Sequence, residues 1–114
     1  MTIDDEAFWE LVEDEYAALP KHLVAGLDNV AIFVEDRNLD EPDLLGIYEG
    51  LDVTEREGYG YGELPDRIVL YREALADISA DEEELRREVH ITLVHEIAHY
   101  WGLDDDQLHA LGWA

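Results

Sequence analysis

The chain has no cysteine, and its one methionine is the first of its 114 residues. The missing thiols exclude disulfides and thiolate metal sites, so any bound metal must be held by His, Asp or Glu side chains. Basic residues are also scarce, because 7 Lys and Arg stand against 30 Asp and Glu, a formal net charge of −23. We therefore expect no nucleic-acid partner and no membrane partner, since both attract basic surfaces.

Long apolar runs are missing as well. No segment approaches membrane-spanning length, and the first residues, MTIDDEAFWELVEDE, lack the apolar core of a signal peptide. We therefore expect a cytoplasmic protein. Apolar residues nevertheless make up 47% of the chain, enough for one modest core, which predicts a single domain over residues 1–114. The excess of acidic residues favours a peptide or protein substrate that is basic. The sequence leaves open whether the protein is a monomer or a homodimer.

Apolar spacing predicts helices and strands in alternation along the chain. The predicted helices cover 4–19, 21–27, 73–78 and 79–102, with one more short helix in the tail, and the predicted strands cover 29–35, 44–49 and 67–72. Ser79 and Glu82 have the spacing of a capping box for the long helix. The glycine-rich stretch 55–66, EREGYGYGELPD, is interpreted as a surface loop or as a lid that faces substrate.

The long helix carries His95-Glu96-Ile97-Ala98-His99 in its apolar half. Residues four apart are offset by only about 40° around a helix, so His95 and His99 point to one side. Neutral imidazoles suit Zn²⁺. Glu96 lies about 100° round from His95, at the edge of the same face, where a carboxylate can serve as a general base.

Gly102 and Asp105 complete the pattern HExxHxxGxxD. A glycine can end the helix in a left-handed conformation, which lets the chain turn back and bring Asp105 under the metal as a third ligand. Asp105 could instead cap the last helix, although Asp104 suits that role better because Gln107 follows it by three residues. The other candidates for the third ligand are Asp104, Asp106 and His109. His90 lies about 140° from His95 and is interpreted as a surface or core histidine.

The stretch HEIAHYWGLDD resembles the zincin metallopeptidases with Asp as third ligand, and more of the chain resembles a small bacterial family of minimal zincin-like domains. The matching stretches are ALPKHLVAGLDNVAIFVED, LLGIYEG, LPDRIVLYR and LVHEIAHYWGLDDDQLHALGW. This resemblance implies an α+β fold, with a small twisted mixed sheet against the metal-binding helix and one strand edging a cleft. It implies Zn²⁺ held by His95, His99 and Asp105, with Glu96 as base.

The larger zincins place a methionine turn beneath the metal, and this sequence has no methionine for one. Leu111 or Trp113 could give structural support there. The resemblance implies peptide-bond hydrolysis by zinc-activated water, as in an endopeptidase. A donor for the developing oxyanion or the substrate is then needed. The side chains considered for it are Tyr61, Arg67, Tyr71 and Tyr100.

Two other functions remain open from the sequence. The domain could be a catalytically weak or inactive zincin-like domain that acts as an acidic protein-binding module, with zinc structural or absent. It could also imitate nucleic acid through its carboxylates. Glu96 discriminates between the binding module and a peptidase, because a purely structural site has no use for a glutamate at that position. The imitation of nucleic acid would instead need carboxylates spaced on one face.

Overall fold

The computed structural model describes residues 1–50, 66–104, 106, 107 and 110. The described elements, in chain order, are α1 (Asp5–Ala17), α2 (Lys21–Val24), β1 (Val30–Glu35), β2 (Gly46–Glu49), β3 (Asp66–Tyr71), α3 (Arg72–Asp77) and α4 (Glu82–Tyr100). The predicted α+β architecture is confirmed, since these three strands form one mixed sheet beside the helices. No helix within this described part is long and apolar enough to cross a membrane.

The sheet has the order β1-β3-β2, so β3 is central and β2 lies at an edge. β1 pairs with β3 in parallel, with Val30 opposite Asp66, and β2 pairs with it antiparallel, with Tyr48 opposite Ile68. The central strand is the most buried of the three, and Ile68, Val69 and Leu70 have no exposed surface. A strand covered on both faces has a continuous apolar run, as residues 68–71, IVLY, do here.

The core joins one face of the sheet to α1 and α4. One side of α4 carries an apolar row with no exposed surface, formed by Leu85, Val89, Leu93 and Ile97. They pack with α1 side chains such as Phe8 and with β3. Each such burial stabilises the fold by roughly 1.5–3 kcal/mol. This packing fixes the rotation of α4 about its axis and therefore fixes which of its side chains face outward.

The start of α4 differs from the prediction. Asp81, not Ser79, is the N-cap, and its side chain accepts a hydrogen bond from the N–H of Glu84 at 2.9 Å. Ser79 is buried instead, and its hydroxyl donates to the carbonyl oxygen of Leu75 at 2.8 Å, in the last turns of α3. The prediction of a cap at Ser79 was wrong because the same hydroxyl can satisfy the end of the preceding helix.

Local signals elsewhere in the chain agree with the structure. Asp4 caps α1, and its side chain accepts from the N–H of Ala7 at 2.8 Å. Asn29 turns the chain into β1 with a φ of 55°, a left-handed conformation that asparagine tolerates. The predicted loop or lid at 55–66 lies outside the described residues apart from Asp66, which begins β3.

Candidate active site

The motif residues lie in the last two turns of α4, on the side of the helix that borders the sheet edge. Leu93 and Ile97 alternate with them along the chain and are fully buried, so they hold this end of the helix against the core. His95 is half-buried and His99 is exposed, with 52% of its side chain accessible. The packing of α4 therefore leaves both imidazoles within reach of a ligand.

Glu96 is buried between the two histidines and the sheet, with 8% of its surface exposed. One of its oxygens, Oε1, lies 3.1 Å from Nδ1 of His99. The carboxylate also accepts a hydrogen bond from the backbone N–H of Tyr48 on β2. Burial raises the pKa of Glu96 above its ordinary value, while His99, His95 and the Tyr48 hydrogen bond oppose that rise. A carboxylate with a raised pKa is suited to accept and return a proton near neutral pH.

The edge strand β2 has alternate backbone groups directed toward β3 and away from it. The carbonyl oxygen of Leu45, just before the strand, accepts from Tyr71 at 3.0 Å, whereas the N–H of Tyr48 faces Glu96. In an antiparallel pair this alternation also directs the backbone of Gly46 outward. The site thus lies beside strand positions whose N–H and C=O groups do not serve the β2–β3 pairing.

Gly46 allows α4 to approach this strand closely. A Cβ atom at this position would lie 2.6 Å from Cγ2 of Thr92 and 3.1 Å from the carbonyl oxygen of Val69. The backbone of β2 at Gly46 therefore packs directly against the Thr92 side chain of α4. This close approach is what brings the Tyr48 N–H to Glu96.

The helix ends as the sequence predicted. Gly102 has a φ of 73°, and its N–H donates to the carbonyl oxygen of His99 at 3.1 Å. The N–H of Leu103 donates to the carbonyl oxygen of Ala98 at 3.0 Å, which completes a Schellman motif. The left-handed glycine turns the chain away from the helix axis immediately after the motif.

Asp104 occupies the capping role that the sequence assigned to it. Its Oδ1 accepts from the N–H of Gln107 at 2.8 Å, and the Gln107 side chain accepts from the N–H of Asp104 at 2.8 Å. This reciprocal pair is a capping box and confirms that prediction. Asp105 and His109 lie outside the described residues, as do Leu111 and Trp113, and Asp106 is exposed.

The polar groups considered as oxyanion or substrate donors have other partners in the described structure. The hydroxyl of Tyr100 accepts from the N–H of Asp28 at 3.2 Å, and that of Tyr71 accepts from Nδ2 of Asn38 at 3.0 Å. Arg67 lies over the ring of Phe33 and 3.3 Å from a carboxylate oxygen of Glu35.

Arg67 therefore reaches toward β1, which lies at the opposite edge of the sheet from β2. The fourth candidate, Tyr61, is outside the described residues. His90 faces α1, with Nδ1 3.7 Å from Glu15, and so does not join His95.

Tyr48 is the contributor to this site that sequence reasoning missed. Its backbone holds Glu96, its ring meets that of Tyr100 edge-on at 6.5 Å, and its hydroxyl donates to Asp66. A backbone N–H leaves no mark in a sequence. The only usable signal was the predicted strand 44–49, and its register against α4 depends on the folded structure.

The donor set suits a zinc ion. Within the described residues no group of three His, Asp or Glu side chains is arranged to hold a metal, and the third predicted ligand, Asp105, is not among them. Two imidazoles four residues apart, with a buried carboxylate beside them and no sulfur donor, are the chemistry that zinc takes in open, catalytic sites. His95 and His99 fit such an ion.

These features define a class of small α+β domain with a histidine-glutamate helix beside an edge strand. Comparison with known proteins assigns the chain to such a class. The family model described as zincin-like metallopeptidase matches residues 27–113, and the chain belongs to this family.

Among solved structures, a conserved hypothetical protein from Thermo thermophilus is similar, with 28% sequence identity and a TM-score of 0.59. The match covers 96% of this chain and 97% of that one. A search of the curated proteins found no match.

Proposed function

We propose that this protein is a zinc-dependent metallopeptidase that hydrolyses peptide bonds within a chain, with Glu96 as its general base. The observation that carries the proposal is the position of Glu96. Its carboxylate is buried, lies 3.1 Å from one of the two histidines and is held by the edge strand. A domain that uses zinc only for its fold gains nothing from a buried charge there, since burying it is costly.

In the proposed site His95, His99 and Asp105 hold the zinc ion. The part played by Asp105 is supported indirectly: Gly102 redirects the chain, and the helix cap that Asp105 could have served is made by Asp104. When bound, Zn²⁺ supplies Lewis acidity for the scissile carbonyl and lowers the pKa of a coordinated water to about 7.

Glu96 takes a proton from the attacking water and passes it to the leaving amine. The raised pKa supports both steps, because the carboxylate then accepts a proton more readily than an exposed glutamate does and can still release it to the more basic leaving amine. The hydrogen bond from Tyr48 restricts the rotation of the Glu96 side chain. Since this contact comes from backbone, substitution of the Tyr48 side chain alone does not remove it.

The substrate is proposed to bind as an extended strand along β2. The backbone groups of Gly46 are directed away from β3, and an added strand would lie along this edge, beside the histidines. The net charge of −23 favours cationic peptides over acidic ones at low ionic strength.

Zinc content and peptide cleavage, measured together, test the proposal. Elemental analysis should find one zinc per chain, and a broad peptide library should be cleaved. Glu96→Gln should keep the zinc and lose roughly 10²–10⁴-fold in rate, the usual contribution of a general base. Glu10→Gln, an exposed change on α1 that removes the same charge, is the matched control. If both variants cleave like the wild type, the catalytic role of Glu96 is refuted.

A further inference from the structure

A groove leads away from the candidate site along the start of the edge strand. It encloses about 360 Å³ between the segment 43–46 and the side of α4 that borders this segment, where Glu88, Ile91 and Thr92 lie. His95 and Glu96 line its inner end. A chain bound beside Gly46 would therefore place one of its side chains in this groove.

The walls of the groove combine apolar surface with carboxylates. Leu44 and Leu45 are half-buried on the strand side, and Ile91 has 44% of its surface exposed on the helix side. One carboxylate stands on each wall, Asp43 before the strand and Glu88 one turn before Thr92. No ion pair joins either carboxylate to another residue in the described ranges, so both are available to a ligand.

A larger depression on the same helix shows the opposite arrangement. It encloses about 500 Å³ and is lined by Glu15, Glu83, Arg86 and Arg87 among others. There the carboxylates are already engaged by arginines: Arg86 lies 3.5 Å from Glu15, and Arg87 lies 3.6 Å from Glu83. Among the described residues, arginines thus pair with the acid of that surface but not with the acid of the groove beside Glu96.

We propose that this groove selects peptides with an arginine or lysine side chain, with Asp43 and Glu88 as the residues that determine specificity. The aliphatic stem of such a side chain would lie on Leu44 and Ile91, and its cationic end would lie between the two carboxylates. An apolar side chain of equal length would leave the carboxylates unpaired, and an acidic one would be repelled. This inference rests on the proposed function, since it takes the bound peptide to be the substrate.

Binding of defined peptides tests this selection without using activity. The probes are capped pentapeptides, Ala-Leu-X-Leu-Ala, in which X is arginine, norleucine or glutamate. Titration of the zinc-loaded, ¹⁵N-labelled full chain gives affinities, and the amide shifts of Gly46, Ile91 and Thr92 report where the peptide lies. We expect the arginine peptide to bind about tenfold more tightly than the norleucine peptide, as two exposed ion pairs allow.

The double variant Asp43→Asn, Glu88→Gln should bind the arginine and norleucine peptides equally. The control Glu10→Gln, Glu13→Gln removes the same charge from exposed positions on α1 and should keep the tenfold preference. The proposal is overturned if the first double variant still prefers the arginine peptide. It is also overturned if the control loses the preference to the same extent, because the overall negative charge of the protein would then explain the preference.

The outcomes for the groove and for the peptidase are separable. Selective binding without cleavage would support the groove and refute the proposed reaction. Cleavage with equal affinity for all three peptides would support the reaction and refute the groove. Thermal melting of each variant verifies that it is folded, and because both groove carboxylates lie at the surface, their removal should change the melting temperature little.

Discussion

Replacement of Gly102 tests the turn that separates the histidine pair from the predicted third ligand. Gly102 has a φ of 73° and forms the left-handed position of a Schellman motif. An alanine there costs roughly 1–2 kcal/mol, because its Cβ approaches the following carbonyl oxygen in this conformation. Asparagine tolerates the conformation better, and valine tolerates it worst. The predicted order of stability is therefore Gly102, then Asn, Ala and Val.

Thermal unfolding of the zinc-free variants gives the magnitude. For a chain of 114 residues, 1 kcal/mol corresponds to roughly 4 °C in melting temperature, so Gly102→Ala should melt about 4–8 °C lower than the wild type. The zinc affinity of each variant, measured by competition with a chelator, should fall in the same order if the turn delivers a ligand. Equal stability of the alanine and asparagine variants would refute the left-handed turn. Lower stability with unchanged zinc affinity would refute its part in the metal site.

Three further predictions concern the site and its surroundings. Burial raises the pKa of Glu96, so ionisation of its carboxyl costs stability as the pH rises above about 4.3, the pKa of a glutamate in an unfolded chain. Zinc-free Glu96→Gln should therefore melt at a higher temperature than the wild type at pH 7 and at the same temperature at pH 3.5. The same difference in melting temperature at both pH values would contradict the burial argument. Gly46→Ala should lose about 1–3 kcal/mol in chemical denaturation, since its Cβ meets Thr92 at 2.6 Å; Thr92→Ser removes that methyl group and should restore part of the loss, and no rescue would mean that the two residues do not meet. Asp105→Ala should weaken zinc binding by more than the roughly 10- to 100-fold that loss of an outer partner costs, whereas Asp104→Ala should lower stability by about 1 kcal/mol with a smaller effect on zinc; the reverse ranking in chelator competition would move the third ligand to Asp104.

Much of the site could be predicted because it depends on local geometry. Histidines four residues apart share a helix face whatever the fold, and Gly102 and Asp104 act through contacts with residues no more than five positions away. The family assignment also followed from contiguous stretches of sequence, and the match over residues 27–113 confirms it. Local patterns therefore sufficed for the motif and for the turn that follows it.

The contacts that sequence reasoning missed join residues far apart in the chain. The Tyr48 N–H reaches Glu96 only because β2 lies at the edge of the sheet and Gly46 admits the helix. Arg67 was considered as an oxyanion or substrate contact, and its side chain lies on Phe33 of β1, 34 positions earlier in the chain. The capping error at Ser79 has a local cause instead, since its hydroxyl donates to Leu75, four residues earlier in α3, and Asp81 caps α4.

The metal ligands themselves are the central claim, and zinc K-edge X-ray absorption of the purified full chain tests them most directly. We predict one zinc per chain with about four neighbours. Two of them should be imidazoles at about 2.0–2.1 Å, and the rest should be oxygen atoms at about 2.0–2.2 Å. The loss of one imidazole in His95→Ala and of one in His99→Ala would assign them. A protein that retains no zinc after dialysis, or a spectrum with no imidazole contribution, would contradict the claim.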